Sequence, residues 1–233
     1  MIAVTFALPA ESSRFLRRLH NKSRSDHNGI RIVRGEIENR TIEVVHTGVG
    51  EKICRQRMAS FLQDRQFRCL ISAGFAGALN DRLHTGDLLL AENFSTAQLS
   101  EARVALSTLP IHIANLLTVP SMIDSSEERN RIAQTTGAAA VDMETEFIAR
   151  ACAAHGVPLL SLRIITDTPR QQFPAPPNVL FDIDRQRTHL TALAKFFLLH
   201  PNRVPCLVQF GRMIDRAKRT LANALFDAVR SME

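Results

Sequence analysis

The chain has 233 residues and a mass of 26.0 kDa, with 45% apolar residues, 22% charged residues, 10 Gly and 10 Pro. That is the make-up of a folded protein with room for one substantial core, and it excludes a fibrous repeat, a disordered tract and a disulfide-stapled miniprotein. The formal net charge is +6, carried almost wholly by arginine because only Lys22, Lys52, Lys195 and Lys218 are lysines; between His189 and Glu233 seven Lys and Arg face three Asp and Glu.

In chain order, Ile2–Phe6 is β-branched and aromatic and predicts a strand. Phe15, Leu16 and Leu19 at helical spacing predict a helix over 9–19, with Pro9 where a first turn tolerates proline. Residues 30–37 and 41–46 read as two strands of a hairpin, followed by Gly48-Val49-Gly50, where a glycine pair supplies positive φ. Residues 51–64 predict a helix, 68–72 a buried strand ending in the glycine-rich Ala73-Gly74-Phe75-Ala76-Gly77, and 87–91 another strand. Residues 93–110 have weak periodicity and read mostly as loop with room for a short strand, and 115–119 read as strand. Ser125 or Ser126 caps a helix through Thr135, with Glu127 and Glu128 favouring its dipole. Residues 138–143 predict a strand, 144–155 a helix closed by Gly156, and 158–165 a continuous apolar strand that needs cover on both faces. Residues 168–182 hold four prolines and predict a loop; 183–200 and 203–231 predict two helices parted by Pro201 and Pro205. The alternation implies an α/β architecture of three layers, a mixed central sheet flanked by helices. One domain over 1–233 is expected, with 183–233 as a helical C-terminal extension.

Cys54, Cys69, Cys152 and Cys206 share no ligand spacing, so no zinc site or disulfide framework is expected. No apolar run approaches the roughly 18 residues that span a bilayer, and residues 1–10 lack a basic leader. The expectation is a cytoplasmic protein without a metal.

Ligands of open α/β sheets gather at the carboxyl ends of strands, so acids just past apolar strands are the first candidates for chemistry. Glu11, Glu144 and Asp167 each occupy such a place. Singly, each would serve as a first-turn or capping carboxylate. Three of them together point to a site.

The ordered set Ala7-Leu8-Pro9-Ala10-Glu11, Ser72-Ala73-Gly74-Phe75-Ala76-Gly77-Ala78-Leu79 with Thr85-Gly86-Asp87, Val141-Asp142-Met143-Glu144 and Arg163-Ile164-Ile165-Thr166-Asp167 resembles the motif set of the nucleoside phosphorylase and nucleosidase superfamily. It is similar in particular to the methylthioadenosine/S-adenosylhomocysteine nucleosidases, over most of positions 1–168. The resemblance implies a phosphorylase/hydrolase-like fold, cleavage of a purine N-glycosidic bond with release of adenine, no cofactor beyond phosphate as a possible co-substrate, and a homo-oligomer. It assigns Glu11 to activating the attacking water, Glu144 to the ribose hydroxyls and Asp167 to protonating the departing purine. Met143 would pack on the ribose, Met122 and Ile123 would sandwich the base, and Leu8, Gly74, Phe75, Ala76 and Gly77 would complete the substrate-binding wall. A purine leaves readily only when N7 gains a proton, and a placed acid is worth roughly 10²–10⁴-fold in such a step. The sugar turns oxocarbenium-like as the bond stretches, which a carboxylate stabilises.

Phe75 stands where such enzymes commonly carry Ser, and the stretch between the glycine-rich strand and the base-binding strand is short and irregular. Phosphorolysis would require further donors for an oxyanion, for which Arg14 is a candidate. The string Lys195-Phe196-Phe197-Leu198-Leu199-His200-Pro201-Asn202-Arg203-Val204-Pro205 and the basic amphipathic helix after it look like the tail of the hopanoid-associated phosphorylases. That resemblance implies adenosylhopane as substrate and a peripheral contact of Leu198, Leu199, Val204, Leu207, Val208, Phe210 and Met213 with the inner membrane. The same side chains would otherwise pack on the sheet or on a second subunit. Two further classes stand beside the enzyme reading: a non-catalytic nucleoside-binding or membrane-associated scaffold, and a nucleic-acid binder working through the basic tail. The retained acids argue against the first; the absence of Trp, Tyr and any binding module argues against the second, so no nucleic-acid partner is expected.

Overall fold

The computed structural model describes residues 1–232 except positions 98, 172, 183–185 and 187–189. In chain order its elements are β1 (Ile2–Phe6), α1 (Pro9–Arg18), β2 (His20–His27), β3 (Ile30–Ile37), β4 (Arg40–His46), α2 (Glu51–Leu62), β5 (Cys69–Ala78), β6 (Leu88–Ala91), α3 (Leu99–Ala105), β7 (Ile111–Ala114), β8 (Leu116–Thr118), α4 (Ser126–Thr136), β9 (Ala140–Asp142), α5 (Thr145–Ala154), β10 (Leu159–Asp167), α6 (Pro177–Leu180), α7 (Leu190–Leu199) and α8 (Val204–Ser231).

Among the described residues the strands form one mixed sheet in the order β2-β3-β4-β1-β5-β10-β6-β7, with β9 pairing the far end of β5 and β8 pairing β9. β1, β5 and β10 lie parallel at its centre, each an apolar run covered on both faces. One face carries α1, α3 and α8, where Phe6, Phe15, Ile71, Leu88, Leu221 and Leu225 share a core. The other carries α2 and α5, with Met58, Phe61, Leu70, Ile148 and Leu159. These are the three layers that the alternation of strands and helices predicts.

Several boundaries differ from the sequence reading, each for a physical reason. The glycine-rich stretch is not a turn after Ser72: β5 continues through it to Ala78, pairing β10 on one side and β9 at its end. β10 likewise runs on to Asp167. β2 carries the polar string HNKSRSDH with no apolar alternation; it is an exposed edge strand held by backbone pairing to β3, which periodicity cannot see. The stretch 93–110, read mostly as loop, holds α3, and β7 follows it. Ser125, rather than Ser126, caps α4, accepting the Glu128 N–H at 3.2 Å. The helix expected over 183–200 is seen as α7 from Leu190; residues 183–185 and 187–189 lie outside the described residues.

The second half of α8 belongs to the core. Ala217, Ala222, Ala224 and Ala228 let it lie close on the sheet and α1, and Phe226 meets the Phe15 ring at 5.3 Å. The first half of α8 and all of α7 are different: no residue of α7 is buried, although it reads LTALAKFFLL.

Candidate active site

β1, β5 and β10 end on the same side of the sheet, and their parallel register brings Glu11 and Asp167 together, while the short antiparallel β9 at the end of β5 delivers Glu144. Glu11 stands in the first turn of α1, just past β1; Asp167 closes β10; Glu144 follows β9 at the start of α5. All three line one cavity of about 390 Å³, a usual size for a small-molecule site. Leu8, Phe75, Ala76, Gly77, Met122, Ile123 and Met143 share its wall. Gly74 does not: it lies behind Glu11, where an added Cβ would come within 3.4 Å of Oε1. Phe75 lines the cavity without closing it and also packs against the core beside α1 and α8.

Each carboxyl group has its own partners. Glu11 accepts the Leu8 N–H on Oε2 at 2.9 Å, closing its own helix, and the Phe75 N–H on Oε1 at 3.2 Å. Burial pushes its pKa upward while those two N–H groups pull back. Glu144 accepts the Gly50 N–H at 3.1 Å instead of capping α5. Gly50 sits at φ 88°, ψ 160°, a conformation open essentially to glycine alone, so the Gly48-Val49-Gly50 turn serves this carboxylate directly. Burial, with Asp142 and Glu11 nearby, raises the Glu144 pKa. Asp167 receives Arg129 Nη2 on Oδ2 at 2.5 Å and the Thr166 hydroxyl on Oδ1 at 3.0 Å. Its pKa too is raised by burial, against the pull of Arg129.

A buried network fixes the floor. Asp142 accepts from Arg163 Nε at 3.0 Å, Thr118 Oγ1 at 2.8 Å, the Thr145 N–H at 3.1 Å and the Thr145 hydroxyl. Arg163 also donates to the Ser72 hydroxyl at 2.8 Å. The acid of Val141-Asp142-Met143-Glu144 that precedes Met143 thus ties β5, β8, β10 and α5 together and keeps Glu144 in place. Removing one partner of such a pair costs about 3–5 kcal/mol because a buried charge is left alone.

Sequence reasoning missed three parts of the site. Arg129 resembles a surface helix residue, yet it lies three positions before Ile132 and so on the inward face of α4, the one signal that could have found it. The Gly50 N–H is a backbone donor with no signature beyond its glycine. The third part is the apolar mouth, built from Phe173, Leu180, Phe181, Leu193, Phe210 and Ile214, all downstream of β10. Arg14, the candidate oxyanion donor, is turned out of the cavity and pairs with Asp215 of α8 at 2.5 Å.

The chain matches the model of the phosphorylase superfamily over residues 1–102 and 94–199, and it belongs to that family. It is an enzyme of N-glycosyl bond cleavage. Among relatives, a 5'-methylthioadenosine/S-adenosylhomocysteine nucleosidase of Staphylococcus aureus is 22% identical, the match covering 72% of this chain and 86% of that one. Among solved structures, the futalosine hydrolase of Helicobacter pylori superposes with a TM-score of 0.74 at 17% identity, over 99% of this chain and 97% of that chain. A 5'-methylthioadenosine/S-adenosylhomocysteine nucleosidase from S. pneumoniae, solved with a transition-state inhibitor, gives 0.73 at 19% identity over 100% and 99%. These likenesses show a shared fold.

Proposed function

We propose that the protein hydrolyses the N-glycosidic bond of an adenosine derivative that carries an apolar group on the ribose C5 carbon, releasing adenine. The observation that carries this reading is the meeting of Glu11, Glu144 and Asp167, far apart in sequence, around one cavity with a different set of partners for each. Asp167, whose pKa burial raises, gives its proton to purine N7 while the electron pair of the breaking C–N bond passes to the base. Glu144 holds the ribose hydroxyls and offsets the positive charge on the sugar. Glu11 takes a proton from the water whose oxygen bonds to C1, and solvent exchange returns the two acids to their starting states. Leu8, Phe75, Ala76, Gly77 and Met143 shape the wall against the sugar, and Met122 and Ile123 flank the base.

Water is favoured over phosphate by charge. Among the described residues, Arg129 is the cationic side chain on the cavity wall, and four of its five N–H groups already donate to Asp167, Ala78 O and Ile123 O. A phosphate ion would meet carboxylates without a free cation to hold it.

The apolar mouth supports a lipid-like C5 substituent, and adenosylhopane is the substrate favoured by the resemblance of the tail. Beside the mouth, Leu190, Leu198 and Leu199 are 71%, 82% and 68% exposed, with Lys195, Arg203 and Arg212 among them. Apolar side chains set among cations fit an anionic membrane surface from which such a substrate would be drawn. Among the described residues no helix is long and apolar enough to cross a membrane, so the contact would be peripheral. A second copy of the chain is the fitting partner for the face of Ile53, Val119, Pro120 and Phe147, which borders the cavity through Val49 and Val119. The second reading, favoured by the names of the relatives, is a nucleosidase for methylthioadenosine and S-adenosylhomocysteine.

Adenine release from methylthioadenosine, S-adenosylhomocysteine and adenosylhopane, each with and without phosphate, separates these. Highest kcat/KM on adenosylhopane with no phosphate dependence is expected. Preference for the small thioethers would favour the second reading, and no release from any of them would end both. Sedimentation with phosphatidylglycerol but not phosphatidylcholine vesicles, lost in Leu198→Glu/Leu199→Glu, is expected for the membrane contact.

A further inference from the structure

We infer that Arg129 is a positioning residue for the acid: it dictates which oxygen of Asp167 carries the proton to the purine and receives the negative charge left behind. The inference rests on the glycosidic cleavage proposed above and assigns a part of it to a side chain outside the three acids.

Arg129 is buried in α4, 3% exposed, and its guanidinium is held before it meets a carboxylate. Nε and Nη2 donate to Ile123 O at 2.9 and 2.6 Å, and Nη1 donates to Ala78 O at 2.8 Å. The remaining contact is Nη2 to Asp167 Oδ2 at 2.5 Å. A planar fork fixed on two carbonyls cannot follow a mobile partner, so it imposes a geometry on Asp167 rather than adapting to it. The strand makes room for the pair: a Cβ at Gly77 would lie 2.6 Å from Asp167 Oδ2 and 3.2 Å from Arg129 Nη1.

An oxygen that accepts from a charged guanidinium is a poorer place for a proton than one that meets a neutral hydroxyl. The transferable proton therefore resides on Oδ1, which the Thr166 hydroxyl orients from the neighbouring backbone position. Before transfer Asp167 is neutral and the pair is weak. As the proton passes from Oδ1 to N7 and the C–N electron pair goes to the base, a full carboxylate forms against the guanidinium in a buried site. The attraction is thus largest at the transition state, which is the condition for it to speed the reaction. Other charged groups facing Asp167 act the opposite way: Asp124, ahead of α4, disfavours the carboxylate, and Glu11 and Glu144 stand across the cavity. Arg129 is the cation set against them. It also joins the acid to Ile123, so the proton donor and the proposed base-stacking residue move as one unit.

The test uses methylthioadenosine and adenosylhopane with wild type, Arg129→Met, Arg129→Lys, Asp167→Asn and the Arg129→Met/Asp167→Asn double variant. Arg129→Met should lower kcat by about 10²-fold with little change in KM, and should move the alkaline limb of the pH–rate profile upward by about one unit or more, since an acid without its cation keeps its proton longer. On the Asp167→Asn background the same change should cost less than about 3-fold, because there is no developing carboxylate left to stabilise. Arg129→Lys, which keeps the charge and loses the fork, should hold the alkaline limb near wild type while lowering kcat about 10-fold; this variant carries the measurement if Arg129→Met does not fold. A uniform loss in both backgrounds with an unmoved limb would mean a scaffold role and overturn the inference, as would an Arg129→Lys enzyme with wild-type kcat. If wild type releases no adenine, the functional reading itself fails, and this inference with it.

Discussion

The two ends of the cavity are built on different terms. At the sheet end, Glu11, Glu144 and Asp167 are held by backbone N–H groups, a hydroxyl and a buried guanidinium, beside strands with covered faces. At the mouth, Phe173, Leu193, Phe210 and Ile214 come from the segment after β10 and from helices that bury little or nothing of their first turns. Phe173 and Phe210 meet edge to face at 6.1 Å but are only half-buried. The polar groups of the first end are satisfied, as the proposed bond cleavage demands; the second end is apolar and open, as recognition of the proposed apolar group demands. On the proposed function, chemistry and selectivity would reside in separable parts of one pocket.

Substitutions at the sheet end should show the largest effects, and they should be blind to the C5 substituent. Asp167→Asn is expected to reduce kcat by about 10²–10⁴-fold on every nucleoside the enzyme accepts, measured as adenine released under saturating substrate. An unchanged rate would remove the acid role. At the mouth the effect should be smaller and selective. Phe210→Ser should raise KM for adenosylhopane about 10-fold or more, the loss of one aromatic contact worth about 1.5–3 kcal/mol, and leave methylthioadenosine nearly unaffected. Equal effects on both substrates would erase the distinction between the two ends.

The smallest effect concerns stability. Glu11, Glu144 and Asp167 have pKa values raised above the ordinary 4.5, 4.5 and 3.8, so between those values and the raised ones the folded chain binds more protons than the unfolded one. Stability is then full at low pH within the folded range and falls as pH rises. Tm without ligand should drop by several degrees between about pH 5 and about pH 8, at about 2–4 °C per kcal/mol for a chain of this size. Glu144→Gln should flatten that slope in calorimetry. A slope of the opposite sign would contradict the upward shift that burial gives these acids.

Local patterning carried much of this protein. The alternation of strands and helices defined the layered α/β class, Pro9 and the acids of the first turn defined helix starts, and the three strand-end carboxylates were legible because ligands of such sheets collect there. What failed was everything that needs a partner to exist. β2 has no apolar face and is a strand only because β3 offers a backbone edge. The glycine-rich stretch looks like a turn but is strand, since β9 and β10 flank it and side chains of Asp167 and Glu11 need the room.

The sequence by itself determined which residues are apolar, where chain direction changes and which acids follow strands, because those depend on periodicity and on neighbours within a few positions. Only the tertiary structure decided that Arg129 turns inward to Asp167, that Gly50 aims its N–H at Glu144, and that Phe173 and Phe210 meet at one mouth. Their meaning lies in contacts across tens of residues, and a one-dimensional pattern holds no record of which distant group a side chain will find.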